Sequence, residues 1–179
     1  MANDLTSTPN LYVIDSRGII RTRPVCVSHM IYVPSAAADD ITLYQWDENA
    51  PVSAGTKTSK AGAISATKTL TSTGNLSSAV AAGYIFHIRG SSGDQDNLGR
   101  KLVEVAGDDN AITITEDDWT NEDPIYYDWT TYPSTTAYIL KAGASDASPI
   151  HKDFGERGRW FPNLACHVID GGQLYIYIK

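Results

Sequence analysis

Long apolar runs are missing from this chain of 179 residues. The closest approach, Ala79 to Ile88, is interrupted by Gly83 and His87 and is far too short for a helix to span a bilayer, which excludes a membrane-spanning class. Cysteine is scarce: Cys26 and Cys166 are the two present, without a CxxC spacing or paired histidines nearby, so neither a zinc site nor a disulfide framework is encoded. Each falls in a strand pattern, and free buried thiols are expected, with a bridge left open should the two Cα atoms come within range. Several residues that favour helices are thin, with 5 Glu, 7 Lys, 10 Leu and 2 Met. Neither heptads nor a collagen period is present. Cationic charge is in deficit, 14 Lys and Arg against 21 Asp and Glu, and the net charge of −7 excludes broad, salt-driven binding to nucleic acid. The opening residues, MANDLTSTPN, lack the basic and apolar regions of a secretory signal, so synthesis in the cytosol and a soluble product are expected.

What the chain has instead is sheet chemistry. Ile (16), Thr (17) and Tyr (10) suit a pleated surface, and 16 Asp suit turns. Residues 10–23 read as a β-hairpin turning at Ser16-Arg17-Gly18. In Val25 to Val33 simple alternation puts Val25, Val27, His29, Ile31 and Val33 on one face, and Cys26, Ser28, Met30 and Tyr32 on the other. Both faces are largely apolar, as in a central strand. Lys101–Val105 and Ala111–Thr115 read as a hairpin. So do Leu164–Ile169 and Leu174–Ile178 around Asp170-Gly171-Gly172. Residues 53–82, rich in Ser, Thr, Ala and Gly, hold only Ile64, Leu70, Leu76 and Val80 as larger anchors. They read as an extended excursion or a segment ordered against a neighbour, with a short helix expected near Leu76 to Ala82.

Some ten short strands punctuated by turns predict an all-β fold, an antiparallel β-sandwich of jelly-roll or immunoglobulin-like type with a long insertion. Residues 1–9 form an N-terminal arm, and 10–179 the sandwich, with an insertion or subdomain at 51–144; one continuous larger sandwich is the alternative.

Chemistry is sparse. GxSxG, GxxxxGK[ST] and HExxH are absent, so no nucleophile elbow, phosphate loop or metalloprotease helix is encoded. His29, His87, His151 and His167 are scattered, and strand histidines are read as structural. His151 beside Asp153 is the one candidate base. Asp94, Asp96, Asp108 and Asp109 resemble calcium-loop residues, but Leu98 and Val105 stand where oxygen ligands are needed, so turn chemistry explains them better. No metal and no cofactor is expected. Two clusters are candidate contact sites. The first is the aromatic group Trp119, Tyr126, Tyr127, Trp129 and Tyr132, read as core, subunit interface or sugar-stacking platform. The second is a basic patch of Arg17, Arg21, Arg23, Arg157 and Arg159, which forms if the two ends of the chain lie side by side.

Leu11-Tyr-Val-Ile-Asp-Ser-Arg-Gly-Ile19, Pro24-Val-Cys-Val-Ser-His-Met-Ile-Tyr-Val-Pro34 and Val168-Ile-Asp-Gly-Gly-Gln-Leu-Tyr-Ile-Tyr177 together resemble small virion proteins of tailed bacteriophages. The resemblance covers about 70 residues and carries no functional residue. It implies a compact β-sandwich that decorates or cements an assembled shell. The implied partners are the major capsid protein or other virion proteins and further copies of the chain, as a trimer, with no nucleic acid and no membrane. The expected protein is non-enzymatic and located in the virion. The alternative is a carbohydrate-binding receptor module of a tail fibre or spike.

Overall fold

Period-two patterning of β-branched and aromatic residues is carried into seventeen strands among the described residues of the computed structural model of the chain. It describes residues 3–51, 53–55, 61–65, 68–72, 80–91, 97–106, 111–116, 119–133, 138–143 and 148–179. The fold is all-β and sandwich-like, without an α-helix among the described residues. The expected helix near Leu76, and Asp94, Asp96, Asp108 and Asp109, lie outside them.

Two compact units divide the strands: Met1–Gln45 with Thr135–Lys179, and Trp46–Ser134. The first unit holds β1 (Asp4–Thr8), β2 (Leu11–Ile14), β3 (Gly18–Arg21), β4 (Val25–Val33) and β5 (Asp40–Tyr44). The second holds β6 (Ser53–Gly55), β7 (Ala61–Ser65), β8 (Thr69–Ser72), β9 (Ile85–Ser91), β10 (Gly99–Ala106), β11 (Ala111–Ile114) and β12 (Glu122–Tyr132). The chain then returns to the first unit with β13 (Tyr138–Gly143), β14 (Ile150–Asp153), β15 (Arg159–Phe161), β16 (Leu164–Ile169) and β17 (Gln173–Ile178). Strand β13, inside the stretch expected to be inserted, pairs with β5 and so belongs to the outer segments.

In the first unit one sheet runs β1-β2-β17-β4, with β14 and β15 sharing the far edge of β4; the other runs β13-β5-β16-β3. Ile14, Val27, Met30, Tyr32, Leu174 and Ile176 from the first sheet, and Ile20, Ile41, Leu43, Leu164 and Cys166 from the second, form one buried cluster. Burying side chains of this size contributes about 1.5–3 kcal/mol each before conformational entropy is set against it.

Three sequence expectations change here. Strands β2 and β3 lie in different sheets, as do β16 and β17, so neither pair is a hairpin. Each is an arch that carries the chain from one sheet to the other, and the paired strands meet through side chains across the core. Turn residues announce a reversal of direction, but the apolar faces on both sides decide whether it stays in one sheet. In β4, Val25, Val27, Met30 and Tyr32 are the residues buried in the core. Tyr177 and Ile178 are adjacent, yet they pair with His29 and Val27, leaving Ser28 as the extra residue of a β-bulge. The bulge flips the strand's phase, turning large Met30 and Tyr32 inward and His29 onto the Tyr177 ring, 4.0 Å between centroids.

Ser53–Gly55, Ala61–Ser65 and Thr69–Ser72 are strands rather than an extended excursion. In the second unit β12-β7-β8-β11-β10-β9 close back on β12, a hydrogen-bonded ring of six antiparallel strands to which β6 adds on β12. Strands β10 and β12 make closure possible by changing partners midway. Gly99–Leu102 pairs with β9 and Val103–Ala106 with β11; Glu122–Tyr126 pairs with β7 and Tyr127–Tyr132 with β9. The small side chains of β7 have a packing reason, since a Cβ on Gly62 would strike the Thr71 carbonyl. Ile64, Leu70 and Val80 supply the anchoring and are buried. The expected hairpin of β10 and β11 is present, with Val103 facing Ile114.

Candidate functional site

Trp119, Tyr127, Trp129 and Tyr132 of the aromatic group are buried and form no surface. Alternation along β12 turns Ile125, Tyr127, Trp129 and Thr131 into the second unit, and each is at most 3 % exposed. Phe86 receives both rings, Trp129 stacked at 5.7 Å and Tyr127 edge-on at 6.2 Å. Trp119 joins the same core, and Tyr132 is buried with its ring 6.4 Å from His87. Tyr126 pairs through its backbone with Ala61. Core packing, one of the three readings of this group, is where the structure puts Trp119, Tyr127 and Trp129. A subunit contact or a sugar platform would need these rings at the surface.

The basic patch is divided. Arg17 lies at the end of the sandwich holding Asp40 and Asp170, and its guanidinium is 3.6 Å from the Asp170 carboxylate. The other four cations gather at the opposite end, because two chain segments run side by side there. Arg21 pairs with Leu164, Val25 with Phe161 and Val27 with Arg159; Arg23 falls between the first two pairs and Arg157 just before the third. All four are exposed. Arg21 lies over the Tyr12 ring at 5.7 Å and Arg159 over Phe161 at 5.2 Å.

That edge also carries the residue missed by sequence reasoning. Trp160 is 69 % exposed, against at most 3 % for Trp46, Trp119 and Trp129. The signal was present in Arg159-Trp160-Phe161. Neighbouring residues of a strand face opposite ways, so burying Phe161 turns Trp160 out. The preceding turn is fitted to the sheet: Gly158 has φ +68°, and a Cβ there would come 2.7 Å from the Val27 carbonyl. Beside it the Cys26 thiol donates to the Arg157 carbonyl at 3.7 Å. Among the described residues, β14 and β15 pair with β4 alone, so their outer side is an open strand edge.

The histidines give no catalytic constellation among the described residues. His29, His151, Lys152 and Asp153 line a shallow cleft of about 350 Å³. Ser28 Oγ is 3.1 Å from His29 Nδ1, but it donates its one proton to the Tyr177 carbonyl, also at 3.1 Å. The imidazole therefore donates to Ser28 through Nδ1 and does not act as a base toward the hydroxyl. Asp153 accepts the Gly155 N–H at 2.8 Å. His87 is held neutral down to about pH 4 by burial and by Arg100, and His167 is shifted the same way by burial and Arg17. The two cysteines are free and buried; burial pushes the Cys166 thiol up to about 12, which keeps it protonated and unreactive. Among the described residues no three His, Cys, Asp or Glu side chains are grouped to hold a metal ion.

No protein-family model, no curated protein and no solved structure matches this chain.

Proposed function

We propose that the chain is a non-enzymatic structural protein of a tailed-phage virion, decorating or cementing the capsid as an oligomer. The observation that carries the reading is the open, arginine-lined edge of β14 and β15 with Trp160 standing out from it. A cementing protein has to hold a neighbour without performing chemistry on it. An unpaired strand edge supplies directional backbone bonds, and an exposed tryptophan supplies the apolar contact that dominates interface energetics. The partners are the major capsid protein or other virion proteins, with a trimer as the assembly. Mass spectrometry of purified particles is expected to find the chain at a fixed copy number, and imaging of intact particles to locate it on the head. Its absence from particles, together with failure to co-sediment with assembled shells, overturns the reading.

Trp160 also gives the carbohydrate-binding alternative a ring to stack on, in place of the buried Trp129. Glycan-array binding that disappears in Trp160→Ala would favour that alternative; a flat array counts against it.

A further inference from the structure

We infer that the β15 edge binds an extended partner segment that alternates acidic and apolar residues, added as a further strand of the sheet. The inference rests on the virion reading for the claim that this edge meets a partner, and deepens it by naming the partner's chemistry.

Three observations define that chemistry. The edge is open, and an unpaired edge is satisfied by backbone, so the occupant is a polypeptide in extended form rather than a polyphosphate. Adjacent residues of β15 present opposite chemistries on opposite faces. Trp160 pairs with Cys26 on the face away from the core, while Arg159 pairs with Val27 on the other. A strand lying alongside has the same period of two, so its own residues must alternate, one set apolar against Trp160 and the next acidic toward Arg159. Charge sets the sign. Arg21, Arg23, Arg157 and Arg159 are exposed at this end, and the acids of the segment from β14 to β15 are Asp153, whose carboxylate is engaged by Gly155, and Glu156. The four cations give this end a positive sign in a chain of net charge −7.

A blocked ten-residue peptide of alternating Glu and Val is the probe, and Trp160 the reporter, because the other three tryptophans are buried. Binding to the full chain is expected to shift the exposed tryptophan emission to shorter wavelength and protect it from acrylamide. Affinity is expected to fall about tenfold or more in the double variant Arg157→Glu/Arg159→Glu, and also at high salt. Trp160→Phe should retain most of the binding when followed by calorimetry, which keeps the test independent of the reporter. The same peptide with alternate backbone nitrogens methylated should not bind, because it lacks the donors for a ladder.

Equal binding by a Lys-Val peptide, equal binding by the methylated peptide, or no binding by the Glu-Val peptide overturns the inference. So does displacement of the peptide by a single-stranded oligonucleotide of matched charge, or self-association in light scattering that the double variant abolishes. If shells are still bound while the peptide is not, this inference fails alone. If the peptide binds and particles lack the chain, the virion reading fails alone.

Discussion

Trp129 and Trp160 carry the same side chain to opposite fates. Trp129 gives up its water to Phe86 and the second unit's core, so Trp129→Ala leaves a cavity and is expected to cost about 3–5 kcal/mol. Trp160→Ala removes no core contact and should stay within about 0.5 kcal/mol of the parent; urea denaturation distinguishes the two. The abundant aspartates find ordinary work at turns. Asp39 accepts from Ser35 and Ala36, Asp47 from Asn49 and Asp153 from Gly155, as the sequence reading of Asp as a turn residue expects. His87 yields a pH prediction. Its folded value of about 4 lies below the ordinary 6.5, first through burial and then through Arg100, so between these values the unfolded chain binds a proton that the folded chain refuses. Stability is therefore complete above about pH 6.5 and declines as the pH falls toward 4. Half-exposure reduces the effect to about 1 kcal/mol. Comparing thermal unfolding of the parent and His87→Gln across that window isolates it, since the variant should lose that component of the slope. Cys166 is expected to resist iodoacetamide until the sandwich unfolds, as followed by mass spectrometry.

At the scale of elements, the arch between β16 and β17 shows what holds a chain crossing between sheets. Tyr32, buried in β4, donates its hydroxyl to the Gly171 carbonyl at 2.7 Å, while the Asp170 N–H reaches the Asp40 carbonyl at 3.1 Å. Burial, with Asp39, Asp170 and Asp40 nearby, pushes the Tyr32 phenol up to about 12, so this bond survives any physiological pH. Tyr32→Phe is expected to cost about 1–2 kcal/mol by leaving the Gly171 carbonyl unpaired. Gly172 has φ +76°, and a Cβ there would collide with the Val33 carbonyl, so Gly172→Ala should be worse than Tyr32→Phe in a denaturant series. Strand positions and turn residues were legible in the sequence here, because Asp-Gly-Gly marks a reversal whatever the partners are. Which sheet each strand joins was not, because that depends on apolar faces distant in sequence. The bulge at Ser28 escaped for a related reason, since an inserted residue shows only against the strand it pairs with.

The molecule as a whole divides its charge unevenly. The unit formed by Met1–Gln45 and Thr135–Lys179 contains eight acidic and eight basic side chains, while Trp46–Ser134 contains thirteen and six. The entire net charge of −7 therefore belongs to the second unit, and the sandwich is balanced. Tyr44 and Tyr138 are register partners on adjacent strands, so the chain leaves and re-enters the sandwich at nearly one point. Replacing residues 46–134 by a short glycine-rich turn is expected to leave a folded β-protein with an isoelectric point near neutrality, read by circular dichroism and isoelectric focusing. Failure to fold would show that the sandwich depends on the second unit. The sequence by itself determined the all-β class, the turn positions and the poverty of catalytic motifs, because propensity and period are local properties of the chain. Tertiary structure alone decided that β12 buries Tyr127 and Trp129, and that Arg17 pairs with Asp170 apart from the other four arginines. Each of these depends on which distant segment lies alongside, and no local pattern of residues records that.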